Sequence, residues 1–524
     1  MKIALAQLNY TVGAVKSNKL KIIDSIHKAR KAGADIVLFA EGALSGMYCY
    51  DLMHKPQFIE ACEVALAEIA SHCEGIAALV TLPMHSDRDH KVVSAAAFIE
   101  NRRIIEFISR KNAMFRDDFG FVSHGGGPSQ ITVAGEVCDV VISADTLNPE
   151  RLSPKSGIML CPCGDPYYSG VLGKRFDWMK RVAFGKKKFF AAVNHLGGQT
   201  DVIFDGASAA VDREGRLRAI LNSFEEDFAI IDTSVDTELE YPQIDEYEYS
   251  YNALKLGLKD YFEKNGFRKA CLGMSGGIDS AVVYAIAADV LGIENVHALM
   301  MPSRFSSDHS IKDAVDMAER LGGSYDIVPI GDVYDQSLKT LEPIIGGTPF
   351  GVTEENIQPR IRGMMLMALS NKHGHILLNT SNKSELAMGY GTLYGDMAGS
   401  LSVLGDVYKR GVYELANYIN REREIIPINI IRKEPSAELR DGQKDSDSLP
   451  PYDILDAILY RFIEEAQSVE DIINAGYDDA IVHRVVESLK MYAYKRYQFC
   501  PVLRISPCTL GKKLILPLLN KYVL

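Results

Sequence analysis

The segment Ser275-Gly276-Gly277-Ile278-Asp279-Ser280 brings two hydroxyls, two adjacent glycines and a carboxylate into six residues. Adjacent glycines let main-chain N–H groups close on an anion, and Ser275 and Ser280 add hydroxyl donors, so the segment reads as a phosphate cradle. The carboxylate of Asp279 would be wasted on phosphate alone; it makes sense as a Mg²⁺ ligand beside pyrophosphate oxygens. A cradle of this kind needs a strand to deliver it and a helix to receive the anion. The run Ala270–Met274 supplies the strand, and Ala281–Leu291, stopped by Gly292, supplies a helix whose N-terminus adds partial positive charge.

The rest of the chain must hold this loop in place. A chain of 524 residues exceeds what one core of about 250–300 residues can organise, so two domains are expected. From residue 1 to about 230, apolar strands alternate with longer amphipathic stretches, the pattern of an α/β fold. The strands are Ile3–Leu8, Ile36–Ala40, Ile76–Leu82, Val92–Ile99, Val140–Ser143, Ile158–Leu160, Phe189–Asn194 and Ala207–Val211. Val92–Ile99 and Ile104–Ile108 flank Asn101-Arg102-Arg103 as a hairpin would. Residues 236–252, acidic, tyrosine-rich and without apolar periodicity, read as a linker between domains 1–235 and 253–524. Beyond it, a helix over Ala253–Phe262 leads to strands at Ala270–Met274, Val296–Met300, Ile327–Ile330 and Ile376–Asn379. Helical patterns follow each, so the second domain is a doubly wound parallel sheet. Pro435–Pro451 forms a long polar loop of the kind that serves as a lid.

The cradle lacks the Gly-Lys-Ser/Thr ending of the Walker loop and instead resembles the loop of ATP-pyrophosphatases, which adenylate a carbonyl oxygen. Over roughly residues 250–500 the chain resembles the synthetase domain of glutamine-dependent NAD⁺ synthetases. The resemblance lies in 301–307, 355–363, 379–385, 393–399, Gly405-Asp406-Val407-Tyr408-Lys409 and 435–440. It implies an adenine nucleotide α-hydrolase-like fold and an ATP-dependent amidation of deamido-NAD⁺ through an adenylated carboxylate, releasing AMP and pyrophosphate. Gly273, Met274, Ser275, Gly276, Gly277, Ile278, Asp279, Ser280, Thr380, Lys409 and Ser436 are then expected at ATP. Asn356, Arg360, Glu385 and Lys495 are expected at deamido-NAD⁺, and Asp279 with Glu385 at Mg²⁺. Lys409 suits the pyrophosphate leaving group as a point charge. Asn382 competes with Thr380 for the cap of the next helix.

The first 230 residues resemble the nitrilase-like glutaminase domain that feeds ammonia to these synthetases, an α/β/β/α sandwich. The segment 38–46 carries Glu41 where the family has its catalytic glutamate, and 109–112 carries Lys111 where it has its catalytic lysine. The third position departs from the family: Ser143 stands where the nucleophilic cysteine should be, Ala144 replaces the adjoining glutamate, and Gly120-Phe121 replaces an Asp-Glu pair. A thiol of pKa about 8.5 yields some thiolate at neutral pH, whereas an alcohol needs a strong base relay. Loss of about 4 kcal/mol of barrier lowering is roughly a thousandfold in rate. A degenerate, inactive glutaminase triad is therefore expected, with free ammonia as nitrogen source; the alternatives are a fully glutamine-dependent enzyme with channelled ammonia, or another ATP-pyrophosphatase amidotransferase. Cys138, five residues earlier on a strand, lies on the opposite face about 16 Å away and is no substitute nucleophile. His195 reads as structural or substrate-lining rather than as part of a Ser/His dyad.

A formal charge of −12 opposes binding to a polyanion, tRNA included, and no apolar run of 18 residues suggests a membrane span. Nine scattered cysteines fit a reducing cytoplasm, with Cys161 and Cys163 read as small buried residues ending the strand Ile158–Leu160. The family resemblance further implies a homo-oligomer built on a synthetase-domain dimer.

Overall fold

The computed structural model describes residues 1–85, 91–110, 129–143, 152, 155–236 and 238–519. It divides into two compact units, Met1–Ile244 and Asp245–Leu524.

In the first unit the strands are β1 (Lys2–Gln7), β2 (Ile36–Phe39), β3 (Ala77–His85), β4 (Val92–Glu100), β5 (Arg103–Ser109), β6 (Ser129–Val133) and β7 (Glu136–Val140). They continue with β8 (Ile158–Cys163), β9 (Phe189–Asn194), β10 (Leu196–Gln199), β11 (Val202–Asp205), β12 (Ala209–Val211), β13 (Leu217–Ile220) and β14 (Asp227–Asp232). Two six-stranded sheets result, ordered β14-β1-β2-β3-β4-β5 and β13-β12-β9-β8-β7-β6. The near-continuous apolar runs of β1, β2, β8 and β9 are buried on both faces, because the sheets pack on each other and helices cover them outside. Helices α1 (Val15–Lys31) and α2 (Pro56–Ser71) lie on the first sheet and α3 (Val171–Lys186) on the second, which is the expected α/β/β/α sandwich. The β4–β5 hairpin forms as expected, turning on Asn101 and Arg102, both at positive φ.

The second unit opens with α4 (Glu246–Asn265) and continues β15 (Ala270–Gly273), α5 (Ile278–Leu291), β16 (Val296–Met300), α6 (Asp308–Leu321), β17 (Ser324–Ile327), α7 (Gly331–Ile345) and α8 (Val352–His373). It then runs β18 (Ile376–Asn379), α9 (Lys383–Met388), β19 (Leu401–Ser402), α10 (Lys409–Ile419), α11 (Ile428–Arg432) and α12 (Tyr452–Ile463). The sheet is parallel, in the order β17-β16-β15-β18-β19, with β15 and its cradle at the centre.

Four sequence expectations need correction. The strand expected at Val140–Ser143 ends at Val140, because Ser143 adopts φ 58°, a left-handed conformation no strand accommodates. The strand expected at Ile327–Ile330 lies earlier, at Ser324–Ile327: Pro329 has no N–H for a ladder, and this edge strand is largely exposed, so apolar content did not mark it. Residues 246–252 of the expected linker are helical. Asp245 caps α4 by accepting from the N–H groups of Tyr247 and Glu248, Glu246 and Glu248 suit its first turn, and Ser250 and Tyr251 are buried. Finally, β8 extends through Cys163, so Cys161 and Cys163 lie within it; both are buried thiols with Sγ atoms 3.3 Å apart.

Candidate functional site

Two polar clusters stand at strand ends, one in each unit. In the second unit, β15 delivers the cradle. Met274 N–H still bonds the Leu299 carbonyl at 3.0 Å, after which the chain turns away at Gly276, φ 75°. A Cβ at Gly276 would sit 2.1 Å from the Ser310 carbonyl oxygen, so only glycine lets the loop pass α6. The Gly277 N–H donates to Ser275 Oγ at 3.2 Å, and Ser280 Oγ donates to the Gly277 carbonyl at 3.0 Å, which stiffens the loop from within. Gly277 is the N-cap of α5 and brings no side-chain acceptor, so the first amides of the helix are left for an external anion.

Asp279, in the first turn of α5, receives Asn382 Nδ2 at 2.9 Å on one oxygen and Lys409 Nζ at 2.5 Å on the other. Lys409 Nζ also reaches Glu385 Oε1 at 3.3 Å. Lys409 is the first residue of α10, and Glu385 lies on α9, whose cap is Asn382: its Oδ1 accepts from the Glu385 N–H at 3.0 Å. Asn382, and not Thr380, is therefore the cap. Burial raises the Glu385 carboxyl to about 8, against the opposing pull of Lys409 and with added repulsion from Asp279. For Lys409, burial works against the ammonium, but Asp279 and Glu385 outweigh it and hold the charge above the ordinary lysine range. Asp445, from the long polar loop, adds a third carboxyl, raised by burial although Tyr390 and Tyr452 donate to it at 3.2 and 2.9 Å. Lys409 thus contacts two carboxyls and lowers the pKa of a third, Asp445, through its field.

These groups line a cavity of about 290 Å³. Gly273, Met274, Ser275, Gly277, Ile278, Asp279, Ser280, Thr380, Glu385, Lys409 and Ser436 all border it, while Leu299, Met301, Pro302 and Ile311 give it an apolar wall. Gly276 has its Cα turned toward α6 and is not among the lining residues. Asn356, Arg360 and Lys495 do not line the cavity either. They meet on the neighbouring segment 389–393: Thr392 Oγ1 donates to Asn356 Oδ1 at 2.7 Å, Arg360 Nε to the Leu393 carbonyl at 3.3 Å, and Lys495 Nζ to the carbonyls of Gly389 and Gly391 at 2.8 and 2.7 Å. Sequence reasoning missed Asp445 and Arg362, and took Asn382 as a competing helix cap without its bond to Asp279. Arg362 borders the cavity, is desolvated enough to lower its pKa, and donates from Nε to the Met301 carbonyl at 3.0 Å. The available signal was the acid inside the already suspected loop and the second arginine of Arg360-Ile361-Arg362.

In the first unit, Glu41 follows β2 and is fully buried, its N–H bonded to the Cys163 carbonyl at 3.0 Å. Ser143, after β7, donates its hydroxyl to Glu41 Oε2, and Ser94 donates to Oε1 at 2.7 Å. Arg110 Nη1 stands 3.5 Å from the same Oε1. The left-handed backbone of Ser143, which costs about 1 kcal/mol outside glycine, aims the hydroxyl at the carboxylate, and its N–H bonds the Pro162 carbonyl at 2.8 Å. His195 turns Nδ1 to the Glu41 main-chain carbonyl at 3.0 Å, in line with a structural role. Cys138 is buried within β7. Lys111, Gly120, Phe121 and Ala144 lie outside the described residues. All nine cysteines are free, and among the described residues no helix is long and apolar enough to cross a membrane.

Residues 250–499 match the NAD synthase family and residues 2–243 the Carbon-nitrogen hydrolase family. The glutamine-dependent NAD(+) synthetase of Synechocystis sp. is 39% identical over 99% of both chains, and that of Thermotoga maritima 35% identical over 100% of this chain and 99% of its own. Among solved structures, the glutamine-dependent NAD+ synthetase of Acinetobacter baumannii in complex with ADP superposes with a TM-score of 0.78 at 33% identity, covering 99% of this chain and 98% of that one. The Cytophaga hutchinsonii enzyme shares the fold, with a TM-score of 0.86 at 20% identity over 99% and 98%. With the cradle, the acid and lysine cluster and the sandwich in place, this chain belongs to the glutamine-dependent NAD(+) synthetase family of carbon-nitrogen ligases.

Proposed function

We propose that the chain amidates deamido-NAD⁺, using ATP to adenylate its nicotinate carboxylate and releasing pyrophosphate before ammonia displaces AMP. The observation that carries this reading is Lys409 Nζ held between Asp279 and Glu385 at the mouth of the phosphate cradle. The cradle amides and Ser275 bind phosphate oxygens, Lys409 takes up charge developing on the pyrophosphate leaving group, and Thr380 and Ser436 border the same nucleotide. Asn356, Arg360 and Lys495 orient the dinucleotide from the adjoining segment.

Glu385, held at about 8 by burial beside Asp279, is mostly protonated until a cation arrives, and a divalent cation shared with Asp279 would favour its ionised form. Mg²⁺ takes one or two carboxylates and completes its shell with phosphate and water. Asp279 and Glu385 would hold it, and when bound it neutralises pyrophosphate oxygens.

For the nitrogen donor we propose free ammonia, on the strength of Ser143. A hydroxyl in place of a thiol, bonded to a carboxylate also engaged by Ser94 and Arg110, ionises far less readily than a cysteine would. The full-length relatives, all named glutamine-dependent, favour the second reading, in which glutamine is the donor. Steady-state NAD⁺ formation with ammonium chloride or glutamine as sole donor separates the two: turnover with ammonia at least about a thousandfold faster supports the first, and equal turnover overturns it. A cytoplasmic homo-oligomer built on a synthetase-domain dimer completes the proposal; a monomer by light scattering would remove that part.

A further inference from the structure

Helix α12 carries Tyr452, Asp456, Tyr460 and, one residue past its end, Glu464 at four-residue spacing, which places them along one stripe. The stripe is turned toward the elements that bear Lys409 and Glu385. Tyr452 donates to Asp445 and its ring centroid lies 5.4 Å from Lys409 Nζ, Tyr460 meets the ring of Tyr408 edge-on at 6.4 Å, and Glu464 accepts from Lys383 Nζ at 2.5 Å.

Asp456, nearly buried, does the most specific work. Helix α10 begins without a side-chain cap of its own. Its first amide, of Lys409, donates to Ser384 Oγ at 2.9 Å, and its second, of Arg410, to Asp456 Oδ2 at 2.9 Å. Ser384 Oγ in turn donates to Asp456 Oδ1 at 2.5 Å. One carboxylate on a third helix therefore terminates the start of α10 and, through Ser384, ties it to α9. Ser384 immediately precedes Glu385, and the capped amide belongs to Lys409, so this bridge spans the two residues whose side chains meet at 3.3 Å.

We propose that Asp456 is a positioning residue for the ligase reaction, holding Lys409 and Glu385 in register through Ser384 and the first amides of α10. The inference rests on the reading of Lys409 given above. A carboxylate suits the task because each of its oxygens accepts a separate bond, one from a hydroxyl and one from an amide. Asparagine offers one acceptor and alanine none.

The test is ammonia-supported NAD⁺ formation by the full-length chain carrying Asp456→Ala, Asp456→Asn, Ser384→Ala or Lys409→Ala, with melting temperatures measured in parallel. Asp456→Ala is expected to lower kcat by about tenfold or more, as displacement of a catalytic group does, while KM for deamido-NAD⁺ stays within about twofold. Asp456→Asn should fall between it and the parent. Ser384→Ala, which removes one hydroxyl and serves if Asp456→Ala does not fold, should lower kcat in the same way. Unchanged kcat per folded molecule in Asp456→Ala and Ser384→Ala, with or without a lower melting temperature, overturns the proposal if Lys409→Ala is inactive. Full activity of Lys409→Ala overturns instead the reading of Lys409 on which the proposal rests.

Discussion

The two polar clusters start alike and end differently. Each places a carboxylate just beyond a central parallel strand, Glu41 after β2 and Asp279 after β15. Around Glu41, among the described residues, two hydroxyls and one guanidinium converge on a fully buried carboxylate. Around Asp279 two further carboxyls, Glu385 and Asp445, crowd in beside a cavity; Asn382, Tyr390 and Tyr452 donate to the cluster, and Lys409 is the ammonium that the described residues place against Asp279 and Glu385. A carboxylate met by its own neighbours is a stable piece of structure, whereas crowded carboxyls with raised pKa facing a cavity call for a ligand.

The comparison breaks most sharply at Lys409. Lys409→Ala should lower NAD⁺ formation with ammonia by about a thousandfold or more, because it removes the ammonium in contact with both Asp279 and Glu385; a loss below about tenfold would place the leaving-group charge elsewhere. Gly276→Ala should follow, since the added carbon meets the Ser310 carbonyl and the positive φ is strained besides. Its expected signature is about a 10- to 100-fold weaker affinity for ATP by calorimetry, the equivalent of about 1.4–3 kcal/mol. The smallest effect tests the other cluster. Ser143→Cys should raise glutamine-supported turnover by about tenfold, as an ionisable thiol replaces an alcohol, yet leave it below the ammonia rate because Ser94 and Arg110 still hold Glu41. No gain at all would show that the missing thiol is not what limits glutamine use.

Local pattern made the second cluster readable. Strand, glycine pair and helix follow one another within twenty-two residues of chain, Ala270–Leu291, and most of the expected ATP residues border one cavity. Long-range partnership was not readable: Asp456 serves an amide 46 positions away and a hydroxyl 72 positions away, and nothing in the periodicity of α12 separates it from a solvated helix residue. Asn356, Arg360 and Lys495 stood at recognisable positions, but their shared attachment to segment 389–393 comes from tertiary packing. The substitution at Ser143 was visible by comparison with a motif, whereas the left-handed turn that made the strand end early was not. The apolar run Val140-Val141-Ile142 favours extension and still bonds along β8 through Leu160 and Pro162, but the positive φ of Ser143, whose hydroxyl bonds Glu41, ends it.

Gly277 leaves α5 without a cap of its own, and that omission couples folding to the nucleotide supply. A glycine N-cap costs a helix only a few tenths of a kcal/mol against Ser or Asp, but it leaves the first amides open, and an anion seated there adds about 0.3–1 kcal/mol through the helix dipole. Ligand binding to the native state alone adds RT ln(1 + [L]/Kd), about 2.7 kcal/mol when ATP stands at a hundred times its dissociation constant. On the proposed reading of the cradle, the ligase unit resists heat and proteolysis best when ATP is plentiful, and depletion of ATP loosens the fold at the place where it stops the reaction.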